Sequence, residues 1–366
     1  MKRFLLGGTA LAAASVIAPG AKAEGGVKLG IGGHMAAADE FANQNGGHSD
    51  TGYQSTSDRL KVGEEIYFKG KATLDNGLIM GAHVDLEGAD RSQIEERWIY
   101  LQGGWGELRL GDDDDARTMK SNATPTLSAD ALGIAGPFFA FDDSRPGQVV
   151  NTVSTIRNAS EDSAKLTYFT PGFLGFQLAL SYAPGGQQDH AGFATANTNT
   201  CPQIAEALSV GASYSGQIRG VTVAAGGGYT EGKPACHEAG EGDKPQISAA
   251  SVNLSYAGFS VGGSIMFADK ILSDPTSGRA IDNDTEFELG ASYVHDAITL
   301  GIGWNHGMYD RGVLGMDTLD QARIGARYAV RPGISLGATI GYFDYSCASC
   351  NNNRGWQTGI GAEIAF

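Results

Sequence analysis

Four consecutive carboxylates, Asp112 to Asp115, follow the alternating run Leu108–Arg109–Leu110–Gly111. Adjacent carboxylates repel one another, so the run needs water or nearby cations. Such a run can attract cations or face a row of bases across a narrow aqueous gap. It lacks the spacing and the glycine of an EF-hand, so Ca²⁺ would have to be held by loop carboxylates acting together. No HExxH, phosphate-loop or dinucleotide motif occurs, no placed Ser/His/Asp set is visible and the seven histidines are scattered, so no enzyme is expected. Cys347–Ala348–Ser349–Cys350 resembles half of a redox or zinc site, but the second CxxC is missing and no βαβ pattern surrounds it.

These residues are carried by a long acidic chain. It has 366 residues, 26 Lys+Arg against 41 Asp+Glu and a formal charge of −15, a balance that excludes a nucleic-acid partner. Lys2 and Arg3, the apolar stretch Phe4 to Ala18 and the Ala21–Lys22–Ala23 cleavage pattern read as a secretory signal over 1–23, leaving 24–366 as the mature unit. A secretory route leads to an oxidising compartment, so Cys201, Cys236, Cys347 and Cys350 are expected in disulfides. No other stretch approaches 18 consecutive apolar residues, which excludes a helical membrane protein.

From about Val27 to Phe366 the dominant period is two, the signal of strands. In Arg59–Asp75, Leu60, Val62, Ile66, Phe68, Ala72 and Leu74 share one face, while Arg59, Lys61, Glu65, Tyr67, Lys69 and Lys71 share the other. Sixteen such segments start near residues 27, 59, 78, 95, 106, 163, 174, 206, 219, 247, 258, 284, 296, 318, 332 and 355. Short turns, among them Gly216–Gln217 and Ala257–Gly258, alternate with long breaks, of which 112–162 is the longest. Seven short and eight long connections predict an up-and-down antiparallel barrel of sixteen strands.

The faces place that barrel in a membrane. Apolar-face aromatics fall at the strand ends: Tyr182, Tyr229, Phe267, Trp304 and Tyr342 at one rim, Tyr168, Tyr214, Tyr256, Tyr293, Tyr328 and Phe366 at the other. Two such rings suit the two interfaces of a bilayer, and closure leaves no unpaired backbone edge in lipid. The other face is polar, with Gln177, Ser181, Arg323 and Arg327, so the interior is wet. The first five strands break the rule, ending in Ala37, Leu74, Leu86 and Leu110, with an aromatic only at Tyr100; that side is expected to pack against protein. The four cysteines all fall in the long loops, where neighbouring positions predict the pairs 201–236 and 347–350.

Glu95–Gly111, EERWIYLQGGWGELRLG, resembles the strand–turn–strand that precedes the long third loop in the Gram-negative general diffusion porins, of alphaproteobacterial type. Lys165–Pro184 is similar to the hairpin after that loop, and the terminal Phe366, with Ile364 and Ile360, to the family's C-terminal signature. The resemblance implies an all-β transmembrane barrel of sixteen strands with an inward-folded third loop (112–162), located in the outer membrane. It implies passive diffusion of small hydrophilic solutes and ions through a homotrimer formed by the early strands. Carboxylate excess adds a weak cation preference; the alternative is a substrate-preferring channel, although most aromatics face outward rather than forming a lumen slide. Asp112, Asp113, Asp114, Asp115, Asp130, Asp142 and Asp143 become the acidic side of a constriction, and Arg59, Lys61, Lys69, Arg97 and Arg109 its basic side. The second reading of Asp112 to Asp115 is a solvated rim patch. No cofactor is implied beyond Ca²⁺ at loop carboxylates, which could also bridge lipopolysaccharide.

Overall fold

Alternation of small or apolar residues with polar ones yields sixteen strands in a computed structural model that describes residues 26–44, 58–87, 94–121, 153, 155, 159–160, 162–185, 204–234, 244–270, 283–348 and 352–366. They are β1 (Lys28–Gln44), β2 (Asp58–Thr73), β3 (Ile79–Glu87), β4 (Arg97–Gly103), β5 (Gly106–Asp112), β6 (Ala164–Phe169), β7 (Phe176–Ala183) and β8 (Ile204–Ile218) in the first half. The second half holds β9 (Val221–Pro234), β10 (Gln246–Tyr256), β11 (Phe259–Asp269), β12 (Asn283–His295), β13 (Ile298–Asp310), β14 (Met316–Arg331), β15 (Ile334–Ser346) and β16 (Asn353–Ala365). Each start lies within two residues of the sequence expectation. Every strand pairs antiparallel with its chain neighbours, and β16 pairs with β1 to close the ring. Closure runs to the last residue: Phe366 and Gly33 exchange two backbone hydrogen bonds of 3.0 Å.

The short turns sit at one rim and follow hairpin geometry. Arg219–Gly220 and Ala257–Gly258 each have two consecutive residues at positive φ (51° and 85°, 49° and 88°), the arrangement whose twist matches the flanking strands. The turn expected at Gly216–Gln217 therefore lies three residues later. Gly216 and Gln217 continue β8 opposite Val223 and Thr222. Gly216 is needed for another reason: the Tyr214 ring covers the place where its Cβ would stand.

Burial is inverted relative to a water-soluble protein. Leu29, Ile31, Leu108, Leu110, Leu178, Leu180, Ile302, Ile324, Ile360 and Ile364 are exposed on the outside, whereas Ser181, Ser209, Thr230, Gln321, Arg323 and Glu363 are buried on the inner face. Apolar-out and polar-in suits lipid outside and water inside. The turn-side rim carries paired aromatics, Phe259–Tyr293 at 4.2 Å and Phe176–Tyr214 at 4.7 Å between centroids.

β4 departs from expectation. Trp98 stacks on the buried His83 at 3.9 Å, and the Tyr100 ring lies over Gly81. Both therefore face the lumen, while Arg97, Ile99 and Leu101 share the outer face. Tyr100 is not a rim aromatic, and Arg97 is not a lumen base. Apolar residues stand on both faces of this strand, so alternation alone does not orient it; the histidine and glycine of β3 do.

Candidate functional site

The break after β5 starts by turning into the barrel. Asp113 to Asp115 lead into a five-residue helix, α1 (Ala116–Lys120), which packs on the inner wall of β7, β8 and β9. One and a half turns cannot persist unaided, so the wall must hold them. The Ala116 N–H donates to Ser181 Oγ and the Arg117 N–H to Ser209 Oγ, both at 2.9 Å. A Cβ on Gly211 would collide with the Ala116 carbonyl, so glycine is what lets the helix backbone reach β8. Ala116 packs with Phe169 and Ala179, and Met119 covers them.

The four aspartates, equivalent in the sequence, have four different surroundings. Asp112 accepts from Arg97 Nε at 2.7 Å across the β4–β5 ladder. Asp113 accepts from Arg109 at 2.9 Å, and its backbone carbonyl accepts from Lys165 Nζ. Asp114 lies beside Glu96 and Asp162. Asp115 caps α1: its Oδ1 accepts from the Thr118 N–H at 2.8 Å and from Ser209 Oγ at 3.3 Å. Its Oδ2 accepts from the Ala159 N–H at 3.2 Å, so one carboxylate joins the outgoing and returning ends of the break. Asp112, Asp113 and Asp115 are all at most 5% exposed, which corrects the reading of a solvated patch.

The returning end also lies against the inner wall. The Val153 N–H reaches Gln321 Oε1 at 3.4 Å, Thr155 Oγ1 meets Ser264 Oγ at 2.6 Å, and Ala159 packs with Ile247, Met266 and Ala268. Asp130, Asp142 and Asp143 lie outside the described residues. So do Cys201, Cys236 and Cys350; Cys347 has no free thiol.

Of the expected bases, Arg109 is the one the fold places beside the break. Glu107 accepts from its Nε at 2.6 Å, opposite the contact with Asp113. Its guanidinium lies over the rings of Trp98, at 5.0 Å, and Phe169, at 4.8 Å. Lys120 covers the same Phe169 at 4.8 Å and donates to Gln177 at 2.5 Å. Lys69 stands farther round the wall over Tyr67, at 4.1 Å. Arg59 and Lys61 are on β2 opposite Glu40 and Ala38; their side chains lie outside the described residues. Tyr67, His83, Trp98, Arg109 and Phe169 thus form one aromatic and cationic row across five strands of the inner face. The sequence reading missed Trp98 because it assigned β4 the opposite face. It missed Lys120 and Glu107 because their roles depend on where α1 docks.

Crowded carboxylates sit just above this row. Burial, then Asp113, Asp114, Asp162 and Asp85, pushes Glu96 up to about 9. Burial and the charges of Asp162, Asp115 and Asp113 push Asp114 up to about 7, against a partial offset from Lys165. Burial followed by the charge of Arg109 lowers Lys120. The arrangement offers no nucleophile activated by a base. It offers an inner wall of fixed charges and packed rings, most of them buried against one another.

Comparison with known proteins agrees with this architecture. The family model described as Gram-negative porin matches residues 9–348. The outer membrane channel DcaP of Acinetobacter baumannii superposes with a TM-score of 0.65 at 12% identity, covering 95% of this chain and 99% of DcaP. Salmonella typhi OmpF, solved in complex with daunomycin, gives 0.63 at 16% identity over 93% and 98% of the two chains. The trimer form of Vibrio cholerae OmpT gives 0.59 at 14% identity over 93% and 100%. At these identities the solved structures establish the fold.

Proposed function

The chain belongs to the Gram-negative porin family and is a channel of the outer membrane, not an enzyme; from that premise we propose that it passes small hydrophilic solutes and ions by diffusion, as a homotrimer, with a weak preference for cations. The observation that carries the preference is that lumen arginines are met by carboxylates: Arg109 by Glu107 and Asp113, Arg327 by Glu363 at 2.9 Å. With the guanidinium charges compensated locally, the chain's excess of acids leaves a negative interior that favours cations. The constriction is formed by α1 and Arg109, narrowing the lumen beside β5–β8, with 112–162 as the loop that supplies it. The reversal potential of the channel in a KCl gradient tests this: a sign reporting cation flux is expected, and anion preference overturns it.

The trimer draws support from the outer face of β2–β5, which lacks rim aromatics on its loop side and carries the Arg97–Asp112 pair, whereas β1 ends in the outward Phe41, and from the trimer form of OmpT. Light scattering of detergent-extracted protein should report three chains, and a monomer refutes it. The disulfide pairs 201–236 and 347–350 belong to the same proposal, stapling outer loops.

A second reading, a channel that prefers certain solutes, is favoured by the partly exposed members of the row, Trp98 and Arg109, with the exposed Lys69 beside them. Rings beside cations suit solutes with a flat or apolar face and a negative group. Liposome swelling with aromatic carboxylates against aliphatic ones of equal size separates the two readings; equal rates leave general diffusion.

A further inference from the structure

β3 and the residue before β4 bring together a histidine, whose ring face belongs to the aromatic row, and two carboxylates that neither α1 nor the row uses. His83 and Asp85, two apart on β3, point inward, and Glu96 stands across from Asp85, tied by the Asp85 N–H to the Glu96 carbonyl at 2.8 Å. One ligand atom from each of His83, Asp85 and Glu96 lies within 4.8 Å of the others. Two ligands on one ion stand at most about 4 Å apart at ordinary zinc distances, so small side-chain rotations complete the set.

Two observations point to a cation rather than a structural pair. Asp85 is 7% exposed; its Oδ2 contacts His83 Nε2 at 3.2 Å, while its buried Oδ1 meets no N–H or hydroxyl donor and the Glu65 carboxyl stands beside the pair. A buried carboxylate oxygen without a donor is costly, and a metal ion is one group that satisfies it. The His83 ring is held by stacking on Trp98, which fixes its orientation before any ligand arrives. Glu96 is also within 4.8 Å of Asp114 and Asp162, so it links this site to both ends of the long break.

We propose that His83, Asp85 and Glu96 bind a divalent first-row transition-metal ion on the inner wall. One imidazole and two carboxylates suit Zn²⁺ or Mn²⁺; Ca²⁺ and Mg²⁺ favour all-oxygen sets. Through Glu96, the bound ion fastens the carboxylates at the base of the break to β3 and β4. The site does not depend on which solutes the channel passes.

The test uses untagged, detergent-extracted protein freed of metal by EDTA dialysis. Calorimetric titration with ZnCl₂ should show one site per chain, with CaCl₂ at least tenfold weaker at it. Asp85→Asn and Glu96→Gln should each weaken Zn²⁺ binding at least tenfold, while Asp320→Asn, at a separate histidine–aspartate contact, changes nothing. Should either variant fail to fold, electron paramagnetic resonance of Mn²⁺ on the unaltered protein should show coupling to one imidazole nitrogen. Absence of a Zn²⁺ site, binding untouched by both substitutions, Ca²⁺ binding as tightly as Zn²⁺, or no nitrogen coupling overturns the proposal.

Discussion

Replacing Asp115 with alanine should free α1 from the wall without opening the barrel. The carboxylate accepts from the Thr118 N–H, the Ala159 N–H and Ser209 Oγ, and lies 3.8 Å from the Arg117 guanidinium. Loss of a helix N-cap alone costs about 1 kcal/mol. A hydrogen bond to a charged group is worth roughly 1.5–3 kcal/mol, and these bonds share one acceptor, so they do not add fully. A total of about 3 kcal/mol corresponds to roughly a hundredfold shift in the local docking equilibrium. Hydrogen exchange of detergent-extracted protein measures it: protection at the Ala116, Arg117, Thr118 and Ala159 amides should fall by about that factor. Strand amides of β15 and β16, which none of these contacts reaches, should keep theirs. Asp115→Asn should fall between, because it keeps an acceptor but loses the charge. Unchanged protection in the alanine variant would refute the view that this side chain joins the two ends of the break. A uniform loss over the whole barrel would refute the view that its effect is local.

Other expectations concern the wall, the charge and the closure. Gly211→Val should expel α1, because its side chain occupies the place of the Ala116 carbonyl; cysteine accessibility at position 118 in a Thr118→Cys background should rise. Arg109→Ala leaves Glu107 and Asp113 uncompensated, so the K⁺/Cl⁻ permeability ratio should rise, while Arg109→Lys should keep most of the original ratio. Deleting Phe366 removes both backbone bonds to Gly33, and the yield of heat-modifiable, folded barrel should drop. Peptide mapping without reductant should recover 201–236 and 347–350 as linked pairs.

The barrel was legible because period-two alternation carries the information strand by strand. Ile298, Leu300 and Ile302 can face only lipid when the intervening residues are Thr299, Gly301 and Gly303, and the register of β13 follows that choice. Turn positions were less legible: Gly216 looks like a turn glycine, yet it makes room for a ring. The face of β4 was not legible at all, since Trp98 and Tyr100 compete with Ile99 and Leu101 as the apolar set. A one-residue change of face moves every side chain on a strand, so Arg97 and Tyr100 were misassigned together.

The candidate site divides in the same way. By itself the sequence determined that four aspartates stand where a strand releases the longest break, beside Arg109 on the opposite face from Leu108 and Leu110. It could not distinguish the four from one another, because identical neighbours carry identical local information. Tertiary structure decided that Asp112 meets Arg97, Asp113 meets Arg109, Asp114 joins Glu96 and Asp162, and Asp115 caps α1. Those partners come from β4, β5, β8 and the returning end of the break, up to 94 residues away in the chain. The β4–β5 ladder supplies Arg97 and β5 itself Arg109, and only docking of α1 and of the returning end on the wall supplies the partners of Asp115, so separate cations and donors offset the repulsion within the run.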